Sequence, residues 1–143
     1  SRRRSVIARL IGGLALIATG ASRSQSSKEM PPGIHRRWIE AAFAMKREAE
    51  TSGDQPYGAV VVLDDKIIGA APSRVIKLGN IDAHAEREAI KDAQQKLGRA
   101  SLRGAVLYSS SRPCSLCERA AAKAQIARMI HGNDLRDAGA PQG

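Results

Sequence analysis

Hydrophobic and polar residues recur along this chain with the periods of helices and strands. In the stretch IHRRWIEAAFAMKREAETSG, residues 34–53, Ile34, Trp38 and Met45 fall on one helical face. The helix-breaking run Pro31-Pro32-Gly33 comes just before it. The pattern predicts a first helix over these residues, with Trp38 in the core.

Shorter apolar runs follow, and they alternate between strand and helix character. Residues 59–63 and 66–70 read as a hairpin that turns at Asp64-Asp65. Helix formers then fill 83–98, with Asp82 as the expected N-cap and Gly98 at the end. The remaining elements are a buried strand in 104–111, a helix in 114–125 and a strand in 126–132. This order predicts an α/β domain of three layers with a mixed, partly parallel sheet.

The length and the distribution of charge indicate that the chain has two parts, an N-terminal segment and one folded domain. The 143 residues suffice for one domain with a core but not for two. The net charge is +9, yet residues 1–27 contain five arginines and no acid, which leaves +4 for the rest. A solvated surface with surplus lysine explains that remainder, although acidic partners or nucleic acid are the alternative. We therefore predict a leader and linker over 1–27 and one domain over 28–143.

The leader has the composition of an export signal. Its arginine-rich start precedes an apolar stretch, 6–18, which Arg9 interrupts, and small residues extend to Ala21. The apolar stretch is too short for a stable membrane span. The opening Ser-Arg-Arg resembles a twin-arginine signal, which predicts a periplasmic or otherwise exported protein. If 1–21 is instead an amphipathic helix packed on the domain or a partner, a cytoplasmic protein is expected.

Two short stretches contain the residues that could bind a metal ion or take part in catalysis. DAHAERE, residues 82–88, includes His84 and Glu86, and SRPCSLCE, residues 111–118, includes both cysteines of the chain, Cys114 and Cys117. Two cysteines at this spacing have three explanations: a redox pair, half of a metal site, or two buried small side chains. Taken singly, His84 could be a buried structural histidine. Glu86 could be an acid that the helix dipole favours at a helix start.

The predicted topology favours a metal site. Both stretches begin a helix that follows a strand, and in a parallel α/β sheet such helix starts gather at the carboxyl ends of the strands. Two thiolates and one imidazole are a good ligand set for Zn²⁺, and three protein ligands leave the fourth tetrahedral position open, as in catalytic sites. A strand running into a helix also suits a thioredoxin-like redox pair, so the redox explanation stays open on spacing alone.

The two stretches together resemble a known family. The pattern His-x-Glu followed by Pro-Cys-x-x-Cys, with 26 residues between Glu86 and Pro113, is typical of zinc nucleobase deaminases. From about Ile34 to His131 the chain resembles the cytidine and deoxycytidylate deaminase superfamily, especially the bacterial branch of guanine, cytosine and tRNA adenosine deaminases. PYGAVVV, residues 56–62, is similar to that family's first strand.

The resemblance implies a cytidine deaminase-like fold and a set of residue roles. His84, Cys114 and Cys117 would bind Zn²⁺, and Glu86 would move protons during hydrolytic deamination. The expected substrate contacts are the Gly58-Ala59 strand as a pocket wall, the Ala85 amide near the reacting atoms, Tyr57 stacked on the base, and Ser73. The other tyrosine, Tyr108, is expected in the core. His131 is expected to have a structural role.

Three features differ from the family pattern. Ser73 stands where purine- and tRNA-directed members usually carry an Asn that hydrogen-bonds the base. Arg112 stands where the family commonly has Glu before Pro-Cys. The chain ends twelve residues after His131, where relatives continue into a further strand and helix. A sheet without that strand would leave an edge for a partner subunit or the leader to cover.

The sequence thus predicts a zinc-dependent deaminase of a free nucleobase or nucleoside, guanine- or cytosine-like, and a homodimer. Nucleic acid is not the expected partner, because basic residues of the body alternate with acids and aromatic residues are few. An exported protein would also meet no tRNA. The alternatives are a tRNA adenosine deaminase and a non-catalytic zinc-binding module of the same fold, but the retained Glu86 favours catalysis.

Overall fold

A computed structural model describes residues 31–143 of the chain. They form five strands and four helices around one mixed sheet, with the strand order β2-β1-β3-β4-β5. In chain order the elements are α1 Pro32–Thr51, β1 Gly58–Leu63, β2 Lys66–Pro72, α2 Val75–Leu78, α3 Ala85–Leu97, β3 Val106–Ser109, α4 Ser115–Lys123, β4 Arg128–His131 and β5 Arg136–Gly139.

The strand directions determine which loops meet. β1 pairs antiparallel with both β2 and β3, and β3 pairs parallel with β4. β2, β3 and β4 therefore point the same way, so their carboxyl ends and the start of β1 share one edge of the sheet. The segments that follow β2 and β3 carry the two motifs, as the sequence predicted.

Helices cover both faces of the sheet. On one face, Trp38 and Ile39 of α1 pack against Val60, Tyr108 and Ile130 of the strands. On the other face, alanine-rich surfaces of α3 and α4 pack against inward-facing residues of β1, β2 and β3. The predicted three-layer α-β-α fold with a mixed sheet is confirmed, and Trp38 and Tyr108 lie in the core as expected.

Two glycines allow the helices to approach the sheet closely. A Cβ atom on Gly58 would lie 2.2 Å from the Lys46 backbone nitrogen and 2.3 Å from the Ala42 carbonyl oxygen, both in α1. A Cβ atom on Gly69 would lie 2.4 Å from the Ala89 carbonyl oxygen in α3. These contacts involve backbone atoms, which cannot move aside as a side chain would.

The structure corrects several details of the predicted elements. Asp82 does not cap α3: His84 occupies the N-cap position, and the Asp82 carboxylate pairs with Arg87 at 3.4 Å. The short helix α2 and strand β5 are additional elements. β5 pairs antiparallel with β4, so the sheet has a fifth strand within this chain.

The expected export signal and linker, residues 1–27, lie outside the described residues, and their role stays a prediction. Among residues 31–143, no helix has the length and apolar character that crossing a bilayer requires.

We predict that Gly58→Ala destabilises the fold by about 1–3 kcal/mol or more, because the added methyl group overpacks a backbone contact between β1 and α1. Urea unfolding should show a lower midpoint with an unchanged slope. Gly33→Ala is the matched control, since a Cβ atom there has no neighbour within 4 Å. Equal stability of the two variants would contradict the close approach.

Candidate metal and substrate site

Two of the three predicted ligands occupy equivalent positions at the starts of helices. His84 is the N-cap of α3, with φ −66° and ψ 150°, and Cys114 is the N-cap of α4, with φ −72° and ψ 169°. Cys117 lies in the first turn of α4, where its backbone N–H donates to the Cys114 sulfur at 3.4 Å. The Cys-x-x-Cys spacing thus turns both sulfurs toward the same point.

The ligand atoms have the spacing of a zinc site. His84 Nδ1 lies 3.7 Å from Cys114 Sγ and 3.4 Å from Cys117 Sγ. Zinc bound to a thiolate at about 2.3 Å and to an imidazole at about 2.0–2.1 Å, with a tetrahedral angle, separates sulfur and nitrogen by about 3.6 Å. All three ligand atoms lie within 4.8 Å of one another. Donor chemistry and geometry therefore both fit Zn²⁺.

Cys117 is the buried thiol of the pair. Burial raises the pKa of this thiol to about 12, with further contributions from Glu86 and Cys114, while Arg87 opposes the shift. A fully buried thiol of this kind becomes a thiolate readily when a cation shares its site.

Glu86 lies in the first turn of α3, and 6% of its surface is exposed. Burial is the main cause that raises its pKa, to about 7, while its own backbone N–H and Arg87 oppose the shift. A cation bound by the three ligands would also favour the ionised carboxylate. The side chain is therefore a buried acid placed beside the ligands rather than a solvated residue of a helix start.

A cavity of about 250 Å³ joins these groups. Among its lining residues Glu86 is buried and His84 is half-buried at the inner end, whereas Tyr57, Arg112 and Cys114 are exposed at the outer end. Tyr57 is 43% exposed, so this predicted substrate contact is at the cavity and not in the core. Gln55 and Ser111 complete the lining.

The other four residues expected to contact substrate are not among those that line the cavity, and the roles predicted for them stay predictions. Ala59 and Ala85 are fully buried in the hydrophobic core, and Gly58 packs against α1. Ser73 is also buried, and its hydroxyl donates to Asp54 Oδ1 at 3.0 Å. The side chain of Ser73 is thus engaged by the protein, which differs from its expected hydrogen bond to a base.

Asp54 organises the wall of the cavity. Its carboxylate accepts hydrogen bonds from the backbone N–H groups of Gln55, Ile76 and Lys77 and from the Ser73 hydroxyl, at 2.8–3.3 Å. Ile76 and Lys77 are in the first turn of α2, so Asp54 satisfies donors that a helix start leaves free. The carboxylate ties the Gln55–Tyr57 segment to the loop after β2.

Sequence reasoning missed Asp54, Gln55 and Ser111. Asp54 and Gln55 belong to no motif, and the turn in which they lie gave no signal beyond the end of a helix. Ser111 lies two residues after β3 and is the first residue of the stretch SRPCSLCE, so its position at the edge where ligands were expected could have identified it.

The chain matches known proteins over the region that contains this site. Residues 32–133 match the family model of the cytidine and deoxycytidylate deaminase zinc-binding region. The chain is similar to a tRNA-specific adenosine deaminase of Agrobacterium fabrum (strain C58), with 37% identity over 95 residues, 66% of this chain and 62% of that protein. The chain thus spans less than two thirds of that relative.

Two solved structures are similar in both sequence and fold. A structure from a study of A-to-I editing by tRNA:A34 deaminases is 36% identical, with a TM-score of 0.65, and the match covers 67% of this chain and 70% of that chain. Guanine deaminase from Bacillus subtilis is 31% identical, with a TM-score of 0.66, and the match covers 68% and 63%.

We predict about one zinc ion per purified chain, lost in Cys114→Ser and in His84→Ala. Because the ligands come from two helices, loss of the ion also lowers the thermal midpoint, and a chelator has the same effect on the unmodified protein. Elemental analysis and thermal melts measure both results. Ser115→Ala, an exposed neighbour of Cys114, should change neither. A metal-free protein with a Cys114–Cys117 disulfide would contradict the metal site.

We predict that the Asp54 interactions stabilise the protein above about pH 4 and lose that effect in acid. Hydrogen bonds from backbone and Ser73 outweigh desolvation and hold the pKa of Asp54 at about 2, below its ordinary value of 3.8. A lowered folded-state pKa contributes stability that disappears as pH falls toward it. In Asp54→Asn an amide group would face these donors. The difference in thermal midpoint between wild type and variant should therefore be large at pH 6 and shrink toward pH 2.

Asp134→Asn is the control for acid titration in general, because Asp134 is exposed and its pKa is lowered mainly by Arg136 on the surface. A difference between wild type and Asp54→Asn that does not vary with pH would contradict the role of the Asp54 charge.

Proposed function

Because the chain belongs to the cytidine and deoxycytidylate deaminase family, we propose that it is a zinc-dependent hydrolase that deaminates adenosine in tRNA. The observation that carries the proposal is the cluster of His84, Cys114 and Cys117 beside a cavity that the buried Glu86 also lines. Ligand set, acid and cavity are the three parts that hydrolytic deamination needs. A non-catalytic zinc module would not require a buried acid beside an accessible cavity.

The residues of this chain have separate tasks in the proposed reaction. His84, Cys114 and Cys117 would hold a zinc ion, which would supply the Lewis acidity that lowers the pKa of a water molecule to about 7. Glu86 would take one proton from the attacking water and pass it to the ring nitrogen, and would then pass the second proton of that water to the amino group, which leaves as ammonia. Tyr57 offers an aromatic face at the exposed end of the cavity, against which the base can stack.

Similarity to tRNA-specific deaminases supports adenosine in tRNA as the substrate. The sequence analysis gave tRNA adenosine deaminase as an alternative to a deaminase of a free base or nucleoside, and the similarity favours this alternative. The +4 charge of residues 28–143 gives a mildly basic surface, which is compatible with an RNA backbone.

Free guanine is the second candidate substrate. The similarity to guanine deaminase from Bacillus subtilis supports it, and a cavity of about 250 Å³ is suited to a single base. An exported protein would also encounter free bases rather than tRNA. Export and a homodimer both stay predictions from the sequence.

We predict that Glu86→Gln keeps zinc and fold but loses about 10²- to 10⁴-fold in turnover, because the amide cannot transfer the proton. The assay measures ammonia release from an anticodon stem-loop RNA containing adenosine, and from adenosine, guanine and cytosine. Inosine in the RNA product identifies the reaction. Zinc content and melting temperature are measured on the same preparations.

Glu40→Gln is the matched control, since Glu40 is exposed on α1 and remote from the motifs. Ammonia from guanine but not from RNA would replace the first candidate by the second. A zinc-loaded wild type that releases ammonia from none of these compounds would contradict the proposed reaction.

A further inference from the structure

Arg112 is an exposed cation in the lining of the cavity, and it forms no ion pair within residues 31–143. It lines the cavity together with Tyr57 and Cys114. Its guanidinium group is permanently charged and presents a planar set of donors that matches a phosphate.

The backbone around Arg112 is held in place. Pro113 is buried, and a residue before proline is restricted to extended conformations. Upstream, the Ser109 hydroxyl donates to the Ser111 carbonyl oxygen at 2.7 Å, and the Gly58 N–H donates to the Ser110 hydroxyl at 3.1 Å. The loop therefore presents Arg112 from a fixed position, so binding an anion orders one side chain rather than a whole segment.

The acids near Arg112 do not form an ion pair with it among residues 31–143. Burial, and after it the charge of Arg112, lowers the pKa of His131. Asp134, the acid close to His131, is paired with Arg136 at 2.9 Å. Arg112 therefore has its donors available for a ligand.

The size of the cavity determines which part of a substrate reaches Arg112. Its volume of about 250 Å³ is below the range of about 300–1,000 Å³ that is typical of pockets for larger ligands. A base bound beside Glu86 fills much of that space. The sugar and any phosphate of the same nucleotide then extend toward the exposed end, where Arg112 lies.

We propose that Arg112 binds a phosphate attached to the nucleoside that is deaminated, so that the substrate is a nucleotide unit rather than a free base or nucleoside. This inference rests on the proposed deaminase function for its choice of ligand. A mononucleotide and a nucleotide within an RNA strand both supply the required group.

Binding in a background without turnover tests the proposal directly. Zinc-loaded Glu86→Gln protein is titrated with two pairs of ligands, adenosine and AMP, and guanosine and GMP. We expect the nucleotide of at least one pair to bind about tenfold more tightly than its nucleoside, because charged hydrogen bonds to phosphate add to the affinity. Adding Arg112→Gln should abolish that advantage and leave nucleoside binding unchanged, while Arg112→Lys retains part of it.

Arg103→Gln is the matched control, since Arg103 is exposed and precedes β3, at the opposite end of the strand from the cavity. An anticodon stem-loop RNA distinguishes the source of the phosphate. If an RNA phosphate is the natural ligand, Arg112→Gln should reduce the slope of log affinity against log salt by about 0.7–1.

The possible results separate this inference from the proposed function. The inference is overturned if the mononucleotides show no advantage that depends on Arg112 and the salt slope for RNA is the same with and without Arg112. A phosphate-dependent advantage that requires Arg112 would support it even if the wild-type protein released no ammonia. That last combination would contradict the deaminase proposal alone.

Discussion

The site depends on a topological constraint: β2 and β3 must run in the same direction. His84 and Cys117 are 33 residues apart, and they come within 3.4 Å because the segments after these two strands meet at one sheet edge. β1 lies between the strands and runs the opposite way, so its first residues reach the same edge and bring Tyr57 to the cavity. One arrangement of three strands therefore assembles the ligands, the acid and the cavity wall.

The elements with strong periodicity could be predicted from sequence, and so could the metal ligands. The ligand residues were identifiable because a metal site demands particular side chains at particular spacings, whatever the surrounding sequence. α2 and β5 could not be predicted in this way. α2 has four residues and is held by Asp54 from a distant turn, and β5 is largely exposed and lacks alternation.

The substrate contacts were harder to predict for a related reason. The resemblance places Ser73 where relatives carry an Asn that hydrogen-bonds the base, and in this chain the Ser73 hydroxyl donates to the neighbouring Asp54 carboxylate. Gly58, which the resemblance places at the pocket wall, also lies against the backbone of α1. A motif alone does not reveal such internal contacts, because they depend on residues far away in the sequence.

The two cysteines of the site differ in their exposure to solvent, so the metal centre is open to solvent on one side only. Cys117 is fully buried, while Cys114 is exposed at the end of the cavity. An ion held by the three ligands would therefore meet the medium on the Cys114 side. A substrate in the cavity would cover that side, so exchange of the ion should be slower in the substrate complex than in the free protein.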